Sequence, residues 1–430
     1  MKIKVCFSEN KAKIKPLHGV GQPPFIGSNF SMFKYLTDAG IPYSRLHDVG
    51  GPYGGGRWVD VPNIFRNFDA DEYDENSYDF TFTDLLISAL VKSNVEPFFR
   101  LGVTIENDVK IKAYRIYPPK DFKKWAIICE HIIRHYTEGW ANGFNYNIKY
   151  WEIWNEADNH DRLDGNQMWQ GTKEQFFELY DIASKHLKAQ FPHLKIGGYA
   201  SCGFYSLTDS LVAGANSGDR TKYFTDFFED FLKYIKKSGA PLDFFSWHSY
   251  DSIEYNKIYA KYAREKLDEY GYTDTETSLN EWNLDIKERG QFSHAAKICG
   301  MMLTYQYLPV DNAMFYDARL GVSIYGSLFN PLTREPFPAY FAFRAFNELY
   351  KLGTQVECSI DGANVYAAAA TDGENGCIVI ANTTDCAVSL DLTSDRSFKR
   401  CIITGDGMIE ESISVPTEIP PYSFITLYTA

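Results

Sequence analysis

Between about residue 15 and residue 352 the chain alternates two kinds of segment. Short runs are apolar on both faces, and longer stretches repeat their apolar residues every three or four positions. The short runs are Lys15–Gln22, Tyr43–Val49, Val95–Gly102, Ile148–Glu156, Leu194–Ala200, Leu242–Tyr250, Thr275–Trp282 and Asn312–Arg319. Most are bounded by Gly, Pro, Asn or Asp, and a strand apolar on both faces belongs in a sheet covered on both sides. In residues 121–139, Phe122, Trp125, Cys129, Ile132 and Tyr136 line up as one helical stripe. Thr172, with Gln175 three residues on, reads as a capping box opening a helix that runs to Phe191. Gly239, Gly271 and Gly353 stand where helices should stop, because glycine accepts the left-handed cap. Eight strand–helix alternations predict an α/β chain folded as a (β/α)8 TIM barrel over residues 11–352. An open doubly wound sheet fits less well, since it usually displays a phosphate loop. Here Gly54-Gly55-Gly56 is followed by Arg57-Trp58, not by Lys and Ser or Thr.

After Gly353 the pattern changes. Val365–Ala370, Cys377–Ala381, Ala387–Leu392, Cys401–Thr404 and Phe424–Tyr428 are short, β-rich and separated by turn residues. Residues 353–430 therefore read as an appended antiparallel β-sandwich. The alternating charged and apolar residues of the first ten positions predict a strand that completes this sandwich and ties the two domains together.

Composition narrows the possible partners. The 430 residues carry 43 Lys and Arg against 56 Asp and Glu, a net charge of −13, so a nucleic-acid backbone is excluded as a natural partner. No stretch reaches the roughly 18 apolar residues that cross a membrane, and the start of the chain shows no apolar leader core, so the expected location is the cytoplasm. Eight scattered cysteines without a C-x-x-C pair predict free, mostly buried thiols, although a disulfide among Cys358, Cys377, Cys386 and Cys401 stays open. His131 and His135 have helical spacing but lack the Glu of a zinc-binding H-E-x-x-H. Aromatic residues make up 16% of the chain, which suits a large core and leaves room for rings that line a sugar cleft.

If the barrel is right, chemistry belongs at the C-terminal ends of its strands. The second strand ends Arg45-Leu46-His47-Asp48 and the fourth ends Trp151-Glu152-Ile153-Trp154-Asn155-Glu156. The sixth ends Trp247-His248-Ser249-Tyr250 and the seventh Asn280-Glu281-Trp282. Glu156 and Glu281 would then face each other across the barrel mouth. Glycoside hydrolysis needs such a pair, one carboxyl to protonate the departing oxygen and one to meet the charge developing at the anomeric carbon.

These strand ends, with Tyr78-Asp79-Phe80, Glu96-Pro97-Phe98-Phe99, Phe244–Tyr250 and the appended β domain, resemble glycoside hydrolase family 39. That family includes β-xylosidases, α-L-iduronidases and other exo-glycosidases. The resemblance implies a retaining, exo-acting β-xylosidase-like enzyme acting on an oligosaccharide or small glycoside. It assigns Glu156 as general acid/base, Glu281 as nucleophile and Asn155 as partner of the sugar 2-hydroxyl. His248 and Tyr250 would lie near the nucleophile, His47 would contact the sugar and Arg45 would support the nucleophile from beneath. The sequence departs from the family in Gly50–Arg66, which leaves the sugar open.

Other readings stand beside these. An arabinosidase or another exo-glycosidase would use the same scaffold, and a non-catalytic carbohydrate-binding barrel is a rival of a different class. Enolase-type proton abstraction lacks metal carboxylates on the third strand, which ends Arg100-Leu101-Gly102. Glu152 fits a paired structural carboxylate better than the acid. His47 and His248 are also readable as core histidines, and Trp154 as packing. Trp282, beside the nucleophile, is a candidate sugar contact, and His18 and Arg319 are further candidates from the first and eighth strands. Aromatic walls and the neighbouring carboxylate should raise the pKa of Glu156. The loop Gly50–Tyr78 reads as a substrate wall more readily than as a subunit contact. The mechanism requires no cofactor or metal, and the oligomeric state is not legible.

Overall fold

The computed structural model describes residues 1–27, 30–49, 58–104, 115–163, 165–212, 218–320, 324–326, 328–405 and 408–430. The triple-glycine run with Arg57 lies outside them.

Strand β1 (Lys2–Lys13) is followed by eight strands that close a parallel barrel. These are β2 (Gly19–Gly21), β3 (Tyr43–Leu46), β4 (Glu96–Leu101), β5 (Tyr150–Ile153), β6 (Lys195–Ser201), β7 (Phe244–Ser249), β8 (Glu276–Trp282) and β9 (Asn312–Phe315). The strand at the N-terminus shifts the count, so the predicted fourth and seventh barrel strands are β5 and β8. Helices α1 (Lys34–Asp38), α2 (Val61–Ile64), α3 (Thr81–Lys92), α4 (Phe122–Thr137), α5 (Lys173–Gln190), α6 (Gly218–Ser238), α7 (Ile253–Glu269), α8 (Phe292–Tyr305) and α9 (Pro338–Leu352) separate the strands. The predicted stripe on α4 buries Trp125, Cys129, Ile132 and Tyr136, and Asp121 caps the helix by accepting from two backbone N–H groups. The capping box of Thr172 and Gln175 opens α5. Gly239, Gly271 and Gly353 take φ of 74°, 88° and 80°, a conformation that carries a side chain only with strain.

The C-terminal part is one eight-stranded sheet in the order β14-β1-β10-β11-β12-β18-β15-β16. Its strands are β10 (Thr354–Asp361), β11 (Val365–Thr371), β12 (Gly376–Asn382), β14 (Asp391–Ser394), β15 (Phe398–Gly405), β16 (Met408–Ser412) and β18 (Ser423–Thr429), together with β1. A two-stranded ladder of β13 (Val388–Ser389) and β17 (Glu418–Ile419) lies apart from it. Pairing is antiparallel except between β1 and β14. The run Ala387–Leu392 thus divides between two sheets, and β10 follows the helix stop at Gly353 directly.

Period two explains the apolar β11 and β12. Val365, Ala367, Ala369, Ile378 and Ile380 join one core with Val5, Phe7, Ile425 and Ile419. The alternate residues Ala368, Ala370, Cys377 and Val379 join the barrel core instead, beneath α8 and α9. Both faces are covered, and alanine lets the helices approach closely.

A buried ion pair fixes the chain after the undescribed segment 50–57. Arg100 donates to Asp60 at 2.7 Å, and Asp60 also accepts from the Thr104 N–H and hydroxyl. Both charged side chains are fully buried, and the Asp60 carboxylate is matched by the guanidinium and two further donors, while Nε and Nη1 of Arg100 have no hydrogen-bond partner among the described residues. All eight cysteines are free, five of them buried. His131 and His135 hold no zinc-like set: His135 bonds Asp84 and the Trp140 carbonyl and stacks on Phe80. No helix among the described residues is long and apolar enough to cross a membrane.

Candidate active site

Side chains two apart on a strand point the same way, so every second residue of a barrel strand enters the interior, where the side chains stack in layers. The lowest layer is apolar and contains Phe98, Tyr150, Phe244 and Met314, with Tyr43 packed against it. Two residues further along the same strands the layer becomes polar: Arg45, Glu152 and Ser246. Glu152 receives Arg45 Nε at 2.8 Å, the Ser246 hydroxyl and the Asn280 amide, and is fully buried. It is therefore a structural carboxylate, matched by three donors. One layer higher come His47 and His248, and the mouth opens around Glu156 and Glu281.

A bulge on β8 presents Glu281. Leu279 pairs with Trp247, yet Glu281 pairs with His248, so Asn280 is the extra residue. Strict alternation would send Asn280 and Glu281 to opposite faces. The bulge lets Asn280 reach down to Glu152 while Glu281 still faces the mouth. On the other side Glu156 follows a strained turn, with φ of 72° at Trp154 and 46° at Glu156. That turn is pinned to β6. The Glu156 N–H donates to the Ala200 carbonyl at 2.9 Å, and the Asp158 carboxylate accepts from the Ser201 hydroxyl and the Cys202 N–H.

Arg45 joins the predicted residues into one cluster. Beyond Glu152 it donates to Glu281 Oε2 at 3.1 Å and to Asn155 Oδ1 at 2.6 Å. With its oxygen so engaged, Asn155 offers its NH2 group to a ligand hydroxyl. Tyr250 donates its hydroxyl to Glu281 Oε1, and Asn159, which the sequence reading missed, donates its amide to Glu156 Oε2 at 3.1 Å. His248 Nδ1 lies 2.7 Å from Glu156 Oε1, and its Nε2 lies 3.7 Å from Glu281 Oε2. One carboxylate oxygen of each Glu and a ring nitrogen of His248 lie within 4.8 Å of one another. The carboxylate oxygens accept from Arg45, Tyr250 and Asn159, and His248 Nδ1 pairs with Glu156, while His248 Nε2 has no hydrogen-bond partner among the described residues.

The charges do not follow the expectation for Glu156. Burial alone would raise its pKa, but the hydrogen bond and charge of His248, with Asn159 and Arg45, hold it below the usual carboxylate range. Glu281 is pushed up, by burial and then by the charge of Glu156, against the opposing pull of His248 and Arg45. Burial lowers His248, yet Glu281 and the bond to Glu156 outweigh it and hold the imidazole above its ordinary value. The neighbour of Glu156 is an imidazole where aromatic walls were expected. His47, buried beside Arg100 and Arg45, is held neutral by desolvation and by those charges.

Other expected contacts are displaced. Trp282 is fully buried, its ring packed on Tyr305 and Phe315, so it faces the helical layer and not the mouth. Trp154 packs on Trp125 and Trp169, Trp151 on Phe99, and Trp247 on Phe245. His18 precedes β2 and lies at the opposite end of the barrel, bonded to the Gly40 carbonyl and packed on Phe346 and Tyr350. Burial lowers its pKa to about 4. Arg319 bonds Asp317 just past β9, close enough for its charge to act on His47. The rings near the mouth are instead tyrosines. Tyr250, Tyr316 and Tyr325 pack against one another, and the Tyr316 hydroxyl links Gln22 to Asp48.

Asp158 supplies a pH dependence outside the catalytic pair. Burial raises its pKa from 3.8 to about 6, partly offset by Ser201 and Cys202. A raised folded-state pKa gives stability that is complete below pH 3.8 and lost as pH rises through about 6, up to about 3 kcal/mol. Urea midpoints of the Asp158→Asn variant should therefore fall less between pH 4 and pH 7 than those of the parent. Equal pH dependence in the two proteins would refute the assignment.

Comparison with known proteins adds lineage to this geometry. The chain is 26% identical over 224 residues to a β-xylosidase of Geobacillus stearothermophilus, a match covering 50% of this chain and 39% of that protein. It thus spans about two-fifths of the length of such curated relatives. A glucosidase from Croceicoccus marinus superposes with a TM-score of 0.77 at 19% identity, over 100% of this chain and 98% of its own. A monomeric β-xylosidase from Caulobacter crescentus CB15 gives 0.70 at 17%, over 100% and 99%. At these identities the two structures speak for the fold. The model of glycosyl hydrolases family 39 matches residues 40–274, a stretch that carries Arg45, His47, Asn155, Glu156, His248 and Tyr250 and ends before Glu281. With more than half of its length inside that match, the chain belongs to glycosyl hydrolases family 39.

Proposed function

We propose that this chain is a retaining glycoside hydrolase that removes terminal sugars, with β-xylosidase-like specificity. The spacing of Glu156 and Glu281 carries the reading. One oxygen of each carboxylate lies within 4.8 Å of the other, in keeping with direct attack, for which the carboxyl groups stand about 5–5.5 Å apart, while an inverting pair stands about 6.5–9.5 Å apart.

Glu281 attacks the anomeric carbon, forming a glycosyl ester, while Glu156 gives its proton to the departing oxygen. Glu156 then takes a proton from water, whose oxygen displaces Glu281 and frees the sugar. His248 Nδ1 lies 2.7 Å from Glu156, and its pKa is held up by Glu281 and Glu156, so it is placed to exchange a proton with the acid. A proton passed from the imidazolium across that bond would leave a neutral imidazole and the carboxylic acid that the first step needs. The Asn155 amide is placed to read the 2-hydroxyl, and neutral His47 another hydroxyl. Arg45 and Tyr250 hold Glu281 in its attacking orientation. The buried, hydrogen-bonded group of Gln22, Asp48 and Tyr316, packed on Tyr250, is the candidate for the closed end that a terminal sugar needs.

Aryl β-glycosides of xylose, arabinose, glucose, galactose and fucose, followed by proton NMR, test this. We expect the xyloside to show the highest kcat/KM and the β anomer to appear first. First appearance of the α anomer would overturn retention. Silence towards every sugar, with no labelling of Glu281 by 2-fluoro glycosides, would favour the binding-protein alternative.

A further inference from the structure

A cavity of about 740 Å³ begins at Glu156 and Tyr250 and runs outward over the ends of β5 to β8. Among the described residues its lining includes Glu156 but not Glu281. In a double displacement the attacked sugar sits over the nucleophile and the leaving group lies beside the acid, so this space receives the leaving group.

Most of the polar side chains of the lining are engaged by the protein, with Lys287 exposed at its edge and Glu288 Oε2 unpartnered among the described residues. Asp285 and Glu288 both accept from Lys297, at 2.6 and 2.7 Å. Asp251 accepts from the Tyr259 hydroxyl and the Ser252 N–H. Arg220 donates to the Asn159 carbonyl and lies over the Phe224 ring. The aliphatic groups face water instead. Leu211 is 76% exposed and Val212 47%, with half-buried Ile286 also in the wall. An apolar rim beside mostly committed polar groups has more to gain from a hydrocarbon than from a second sugar, whose hydroxyls would need several donors and acceptors of their own.

We infer that this cavity is a leaving-group site for apolar alcohols, and that the preferred substrates are glycosides with a hydrophobic aglycone. The inference rests on the assignment of Glu156 as the acid.

Methyl, butyl and octyl β-D-xylosides test it, because their leaving groups have similar acidity and differ in apolar surface. Each methylene fully removed from water is worth about fourfold. With partial burial, kcat/KM for the octyl xyloside, below its micellar concentration, should exceed that of the methyl xyloside by at least about thirtyfold. Leu211→Asp, at an exposed position that the fold does not need, should cut that ratio at least about fivefold. A ratio within about twofold of unity, or one unmoved by the substitution, overturns the aglycone assignment and leaves the hydrolase reading standing. Should no xyloside be cleaved, calorimetry with octyl and methyl 1-thio-β-D-xylosides decides the question separately. Octyl binding at least about tenfold tighter, lost in Leu211→Asp, supports the apolar site although the catalytic reading has failed. Equal or undetectable affinities overturn it.

Discussion

Replacing Glu281 by Gln is expected to lower kcat/KM by at least about 10⁴-fold, roughly 5.4 kcal/mol of transition-state stabilisation, while the protein stays folded. The amide keeps the shape of the carboxylate but cannot form a stable glycosyl ester, so the first step has no covalent route. The fold should survive for an electrostatic reason. Glu281 is 6% exposed and its ionised form is already disfavoured by burial and by Glu156. Arg45, the cation beneath it, retains Glu152 and Asn155. Circular dichroism and the thermal midpoint should therefore stay close to the parent. Turnover above a thousandth of the parent rate, with contaminants excluded, would remove Glu281 from the nucleophile's role.

Glu156→Ala should have the second largest effect, and its size should depend on the leaving group. Protonation matters most when the departing alcohol is a poor leaving group, so alkyl glycosides should lose about 10²–10⁴-fold in rate. A dinitrophenyl glycoside needs little help to depart. Its first step should remain fast, with the glycosyl-enzyme accumulating because no base activates water. Azide needs no deprotonation and should rescue turnover, giving a glycosyl azide of retained configuration. A uniform loss across all leaving groups, without azide rescue, would mean that Glu156 acts only in binding or structure.

The alternation of strands and helices was readable because the barrel buries its strands on both faces. Each strand then shows as an apolar run of about the right length, and the observed strands fall inside the predicted ones nearly throughout. The two glutamates were readable because they terminate such runs, and a carboxylate there has no place in an apolar core. Trp282 was misplaced because strand position does not reveal which face a ring takes where a bulge interrupts the alternation. The bulge at Asn280 has no sequence signature; it is visible only in the pairing of Leu279 with Trp247 and of Glu281 with His248. Asn159 went unremarked because it lies on a loop, and only the turn at Glu156 brings its amide to the carboxylate.

The barrel, its β-rich companion and the placing of two carboxylates at strand ends were legible in the amino-acid order. All three depend on local periodicity and on side-chain chemistry that the chain carries wherever it goes. The rest needed the three-dimensional arrangement: Arg45 tying Glu281 to Glu152 and Asn155, the tryptophans turned to the core and tyrosines to the mouth, and His248 set between the two glutamates. These depend on distances of a few ångströms between groups from different strands, and Coulomb and hydrogen-bond energies at that range follow spatial separation, which one-dimensional order does not specify.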